Sequence, residues 1–213
     1  MNRKYQAIIF DMDGVIVDSE PRHERAFREI FNEMGYAEHG IHFPDYYGRS
    51  DRAVWTDFIA KHKPKQPLEE LTEWKQRRFL ELIRQDKPIF PGLSELVEAL
   101  SREYPLAVAS GSLHAVIEEV LALRELKRFF EAVVSVQDVA RPKPSPDVFL
   151  RAAELLGVTP VGCCVIEDSA AGVEAAIAAG MSVIAITNSL PVEKLMRANH
   201  VVSSYQEIEN LLL

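Results

Sequence analysis

Five short apolar runs, at residues 6–10, 106–109, 132–136, 162–166 and 182–186, constrain this chain more than any other feature. Each ends in a polar or glycine-containing turn. Their Val, Ile and Phe content and their lack of the polar alternation of a half-exposed strand suit strands buried on both faces. Helical patterns separate the later runs, at 113–123, 147–156 and 170–179. Strands alternating with helices predict an α/β fold with a parallel sheet covered on both sides.

Residues 19–91 read differently. They are rich in charged and aromatic residues and lack strand runs. Pro21 stands where a first helical turn begins, and Ala26, Phe27, Ile30, Phe31 and Met34 follow at helical spacing up to Gly35. Further helices are predicted over 53–62 and 68–85, with a proline-containing loop at 63–67 between them. The expected organisation is a sheet domain of residues 1–18 and 92–213, with an all-helical insert at 19–91.

Composition narrows the function. Of 213 residues, 47% are hydrophobic and 26% charged, as in ordinary globular proteins, and the formal net charge is -8. An acidic chain with no Lys/Arg run points away from nucleic acid. The apolar run near the N-terminus is too short for a signal peptide, and no stretch is long enough to span a membrane. Cys163 and Cys164 are adjacent, which excludes a disulfide framework and predicts buried strand residues. A cytoplasmic protein is expected.

The chemistry-bearing residues stand at strand ends. AIIFDMDGVIVDS puts Asp11 directly after an apolar run and Asp13 two residues on, on one side of the strand end. Carboxylates held this close repel unless a cation lies between them, and Mg²⁺ is the natural hard cation for oxygen ligands. A plain Asp-Gly turn is the alternative. Ser110-Gly111-Ser112 follows the second run and precedes a helix, so its hydroxyls and amides either hold a phosphate or cap the helix. Lys143, between Pro142 and Pro144, has a stiff backbone and either balances a carboxylate and a phosphate oxygen or lies in a solvated loop. Glu167 and Asp168 close the fourth run just before a helix. Adjacent acids at a core edge are costly without a cation, although Asp168 or Ser169 also suits a helix cap.

In this order, and over nearly the whole chain, the four segments resemble the haloacid dehalogenase superfamily. DMDGVIVDSE and EDSAAG are most similar to the β-phosphoglucomutase-like phosphatases. The resemblance implies a Rossmann-like core with a helical cap domain inserted after the first strand, and a cap that closes over the site. It implies that Asp11 is the nucleophile that becomes an aspartyl phosphate. Asp13 is then the general acid and base, and gives Mg²⁺ a backbone carbonyl. It implies that Ser110 bonds a phosphoryl oxygen, with Gly111 and Ser112 beside it. Lys143 neutralises nucleophile and phosphoryl group, Asp168 is the main metal ligand, and Glu167 is its direct or outer partner. A cis Lys143-Pro144 bond is a further implication. In the insert, His23, Arg49 and Lys75 resemble substrate-reading cap residues, although each also suits a solvated helix or loop position.

The expected activity is Mg²⁺-dependent hydrolysis of small sugar or organic-acid phosphates, by a monomer or weak homodimer. A hexose phosphate mutase is the alternative. Against it, Leu113 and His114 stand where the mutases carry basic and amide residues. A non-enzymatic binding protein is a third reading, motivated by Tyr46, Tyr47 and Trp55 as exposed aromatics.

Overall fold

The computed structural model describes residues 4–46 and 51–213. The chain forms two compact units, Met1–Asp18 with Pro88–Leu213, and Ser19–Lys87.

Six parallel strands form the sheet of the first unit. They are β1 (Ala7–Phe10), β2 (Leu106–Ala109), β3 (Ala132–Val134), β4 (Cys163–Glu167), β5 (Ser182–Ile186) and β6 (His200–Val202). Their spatial order is β3-β2-β1-β4-β5-β6, with β1 and β4 adjacent at the centre. Both central strands are buried along their whole length, including Cys163 and Cys164, which are free thiols. The third run is shorter than its apolar pattern suggests. Ser135 turns the chain out of the sheet by accepting a hydrogen bond from the Gln137 amide, and Val136 begins a 3-10 turn.

The second unit holds α1 (Glu20–Glu33), α2 (Asp51–His62) and α3 (Leu68–Asp86). Phe27, Ile30, Phe31, Phe43, Trp55, Phe58 and Leu71 make its core. Phe31 stacks on Phe58 at a centroid distance of 4.1 Å, and burying each ring contributes about 2–3 kcal/mol. Trp55, read above as an exposed aromatic, is fully buried there. Tyr47 and Arg49 lie outside the described residues.

Residues 88–91, expected in the insert, belong with the sheet unit. Val17 bridges Ile89, the Asp18 amide donates to the Pro88 carbonyl at 2.9 Å, and the Phe90 amide donates to Ile16 at 3.4 Å. The outgoing and returning segments thus form a short antiparallel pair, a pattern hidden by Pro88 and Pro91.

The sheet is flanked by α4 (Leu93–Ser101), α5 (His114–Ala122), α6 (Asp147–Leu156), α7 (Ala170–Ala178), the short α8 (Val192–Leu195) and α9 (Tyr205–Leu212). Val148, Phe149 and Ala152 of α6 and Val173 and Ala176 of α7 join Ile9, Ala107, Val165 and Val183 in one core. Ile8, Phe10, Val108 and Ile166 alternate to the other face and are equally buried. On that side α4 packs on α9, and α9 on β6. No helix among the described residues is long and apolar enough to cross a membrane.

Candidate active site

Strand register alone brings the first and last motifs together. Phe10 pairs with Ile166, and the Asp11 amide continues the ladder by donating to the Ile166 carbonyl at 2.9 Å. Asp11 and Glu167 therefore leave adjacent strands side by side. Lys143 Nζ lies 2.5 Å from Asp11 Oδ1 and 2.8 Å from Glu167 Oε1, and the Lys143-Pro144 bond is cis.

The other oxygen of Glu167 accepts from the Asp168 and Ser169 amides at 2.7 Å each and from Ser169 Oγ at 2.9 Å. Ser169 Oγ in turn accepts from the Gly172 amide at 3.0 Å and so caps α7. Glu167 is thus fully engaged by protein donors. Asp11, Glu167 and Asp168 are all buried, and each offers an oxygen within 4.8 Å of the others.

Burial raises Asp11 to about 7 against the pull of Lys143, with Glu167 and Asp13 adding to the rise. Asp168 is likewise raised well above the usual carboxylate range, by burial and then by Glu167 and Asp11. Burial works against the charge of Lys143, but Asp11 and Glu167 outweigh it and hold the ammonium above its ordinary range. One ammonium among three buried acids leaves excess negative potential. A hard divalent cation would offset it, and the all-oxygen donor set suits Mg²⁺.

Asp13 points to the second motif. Its Oδ2 accepts from Ser112 Oγ at 2.8 Å and, at the long distance of 3.5 Å, from Ser110 Oγ. Its Oδ1 is buried and has no hydrogen-bond partner among the described residues. Ser110 Oγ accepts from the Ser112 amide at 3.0 Å, and Ser135 Oγ donates to the Ser112 carbonyl at 2.7 Å, so the loop through Gly111 is tied from both sides.

A family profile described as haloacid dehalogenase-like hydrolase matches residues 5–180. The chain belongs to that family. Fructose-1-phosphate phosphatase YqaB of Escherichia coli is 33% identical to it over 184 residues, which is 86% of this chain and 97% of that one. Hexitol phosphatase B of Escherichia coli is 35% identical over 188 residues, 86% of this chain and 84% of that one. The crystal structure of β-phosphoglucomutase from Clostridium difficile matches with a TM-score of 0.77 and 27% identity, over 97% of this chain and 98% of that one.

In this haloacid dehalogenase-like hydrolase, the sheet unit gathers Asp11, Asp13, Ser110, Gly111, Ser112, Lys143, Glu167 and Asp168 at the carboxyl ends of its strands. His23 and Lys75 meet within the insert. Lys75 Nζ hydrogen bonds His23 Nδ1 and donates to Asp51 Oδ2 at 2.6 Å. The ammonium also lies 5.0 and 4.9 Å from the Phe27 and Phe79 ring centroids.

Sequence reasoning missed several contacts of this hydrolase. Asp51 compensates Lys75, Ser189 hydrogen bonds Asp168, and Asn188 and Tyr205 bond the loop after Asp13. Asn188 and Ser189 lie just past the fifth apolar run, where the same strand-end argument applies. Tyr205 carries no comparable local signal.

Proposed function

We propose that the protein is a Mg²⁺-dependent phosphatase of small phosphorylated sugars, acting through an aspartyl phosphate on Asp11. The observation that carries this reading is Lys143 bridging Asp11 and Glu167 inside a buried group of three acids. A substrate dianion entering beside acids needs such fixed positive charge. Relatives named as phosphatases of fructose 1-phosphate and of hexitols support a sugar or polyol phosphate.

Asp11 and Asp168 would hold the cation, with Glu167 behind Asp168 and the Asp13 carbonyl completing the protein ligands. The bound ion supplies charge stabilisation for the phosphoryl oxygens. A carboxylate oxygen of Asp11 attacks phosphorus, and the bond from phosphorus to the sugar oxygen breaks. Asp13, held by Ser112, gives that oxygen its proton, and the sugar alcohol leaves. Asp13 then takes a proton from the water that attacks the phosphoryl group. Inorganic phosphate and free Asp11 result. Lys143 keeps Asp11 oriented throughout, and Ser110 offers a hydroxyl to a phosphoryl oxygen.

A hexose phosphate mutase is the second reading, favoured by the buried Lys75 and its bond to His23. Two observations weigh against it. Lys75 already has a carboxylate partner in Asp51, and His114 is paired with Asp138 at 2.9 Å rather than open to a second phosphate.

The test is phosphate release from a panel of sugar, polyol and organic-acid phosphates, with Mg²⁺ and with a chelator. Metal-dependent release is expected, and Asp11→Asn should form no phosphoenzyme. No release from any phosphomonoester, or ordinary turnover by Asp11→Asn, defeats the reading. Isomer formed from β-glucose 1-phosphate faster than free phosphate favours the mutase.

A further inference from the structure

The family profile ends at residue 180, yet two side chains beyond it reach the loop that carries Asp13. Asn188 Nδ2 donates to the Gly14 carbonyl at 2.8 Å and to the Tyr205 hydroxyl at 3.0 Å. The Tyr205 hydroxyl donates to the Val15 carbonyl at 2.6 Å. Burial pushes the Tyr205 phenol up, so it remains a donor at any working pH. Its ring leans on Phe90 at a centroid distance of 6.1 Å. One amide–phenol pair thus holds the carbonyls of two consecutive residues immediately after Asp13.

The held segment is a tight turn. The Met12 carbonyl accepts from the amides of Val15, Ile16 and Val17 at 3.2, 2.7 and 3.1 Å. Gly14 has a left-handed φ of 76°, and a Cβ there would lie 1.8 Å from Asp168 Oδ2 and 2.6 Å from Ser189 Oγ. The Gly14 backbone therefore rests on the Asp168 carboxylate. A shift of this peptide displaces Asp13 on one side and Asp168 on the other.

We propose that Asn188 and Tyr205 are positioning residues for the hydrolase reaction, holding the Gly14 and Val15 carbonyls so that Asp13 and Asp168 keep their relative placement. The proposal rests on the phosphatase reading for its kinetic consequences. A misplacement of about 1 Å costs on the order of a hundredfold in rate when it falls on a reacting group. Neither residue supplies an atom to the reaction, so the loss falls on the chemical step.

The test compares Tyr205→Phe and Asn188→Ala with Tyr104→Phe. Tyr104 is an internal control of matching chemistry. It is 7% exposed against 9% for Tyr205, and its hydroxyl also donates to a carbonyl, that of Leu212 in α9, the helix that carries Tyr205, at 2.8 Å. A purely structural role predicts equal effects for the two tyrosines. Positioning predicts a kcat about ten- to a hundredfold lower in Tyr205→Phe and Asn188→Ala, with KM changed less than about twofold. Tyr104→Phe should keep its kcat. The double variant Asn188→Ala/Tyr205→Phe should lose little more than either single variant, because the two side chains form one unit.

Amide exchange at residues 14–17 is the activity-independent readout. It should quicken in the Asn188 and Tyr205 variants and not in Tyr104→Phe. If the native enzyme releases no phosphate, the phosphatase reading fails and exchange alone decides the positioning claim. If Asn188→Ala does not fold, Tyr205→Phe, which loses one oxygen atom, carries the comparison. Equal kcat in Tyr205→Phe and Tyr104→Phe overturns the proposal, as does a raised KM with kcat intact or unchanged exchange at 14–17.

Discussion

Lys143 Nζ stands 2.5 Å from Asp11 Oδ1, a residue 132 positions earlier in the chain, and contacts Glu167 in the same reach. Both salt bridges are largely withdrawn from water. Removing one partner of such a set leaves the others uncompensated, at a cost of about 3–5 kcal/mol. Lys143→Met should therefore lower the thermal midpoint. It should also reduce phosphate release by at least about a hundredfold, through loss of fixed positive charge at the transferring group. Calorimetry and steady-state kinetics check both. Retained turnover in a stably folded Lys143→Met protein contradicts the assigned role.

The raised Asp11 carboxyl makes a second prediction, on pH. An unfolded Asp titrates near 3.8, and burial lifts Asp11 in the folded chain to about 7 despite Lys143. Between these values the folded chain binds this proton and the unfolded chain does not. The associated stability is complete below about pH 4 and is lost as pH rises toward about 7. Asp168 shifts in the same direction. Metal-free protein should thus lose stability across this window more steeply than Asp11→Asn, and millimolar Mg²⁺ should flatten the loss. Urea midpoints at several pH values measure the two slopes. Parallel slopes with and without Asp11 would show that burial does not hold this proton.

Much of the candidate site was legible because its acids stand within a few residues of the end of an apolar run. A strand buried on both faces must end where the polar chain emerges, and parallel strands emerge on one side. That logic found Asp11, Asp13, Glu167 and Asp168. It did not decide Lys143, whose stiff proline-flanked position suited either a charge-balancing role or a solvated loop until the family resemblance favoured the first. Helix α4 was overlooked despite Leu93, Leu96, Val97 and Leu100 at helical spacing. β6 has only three residues, two of them half-exposed, so its pattern is weak. Trp55 misled because its burial depends on Phe27, Phe31 and Phe58, contributed by the rest of the insert and by its own helix. The hydrogen bonds from Asn188 to Gly14 and from Tyr205 to Val15 span 174 and 190 residues. No local periodicity encodes contacts of that range.

Gly172 gives a prediction opposite to helix propensity. Alanine normally improves on glycine within a helix by about 1 kcal/mol. Here a Cβ would lie 1.5 Å from Glu167 Oε1 and 1.9 Å from its carboxyl carbon. Glu167 is fully buried and tied to Lys143 and the Ser169 turn, so it has no room to swing aside. Gly172→Ala should cost about 3 kcal/mol or more through overpacking. Turnover should fall with it, because Lys143 loses the geometry of its second carboxylate. Denaturant titration and kinetics on the same preparation test the pair of effects, and a stabilised Gly172→Ala protein would refute the packing argument.

The ion pair in the insert predicts an asymmetry between its two partners. The Lys75 side chain is 2% exposed, whereas that of Asp51 is 39% exposed. Removing Asp51 takes the carboxylate from an ammonium that water barely reaches and leaves it the His23 bond and the two ring faces, which carry no full negative charge. Removing Lys75 leaves a carboxylate that water can solvate in its place. Asp51→Ala should therefore destabilise the insert by about 3 kcal/mol. Lys75→Met keeps an unbranched chain against Phe27 and Phe79 and should change stability by less than about 1.5 kcal/mol. In the Lys75→Met background, Asp51→Ala should cost much less, since the buried ammonium is gone and His23, 3.8 Å from Asp51, is partly exposed. Unfolding free energies of the two single variants and the double variant complete the cycle. Equal losses from both single variants, adding in the double, would mean that the pair is not the source of the stabilisation.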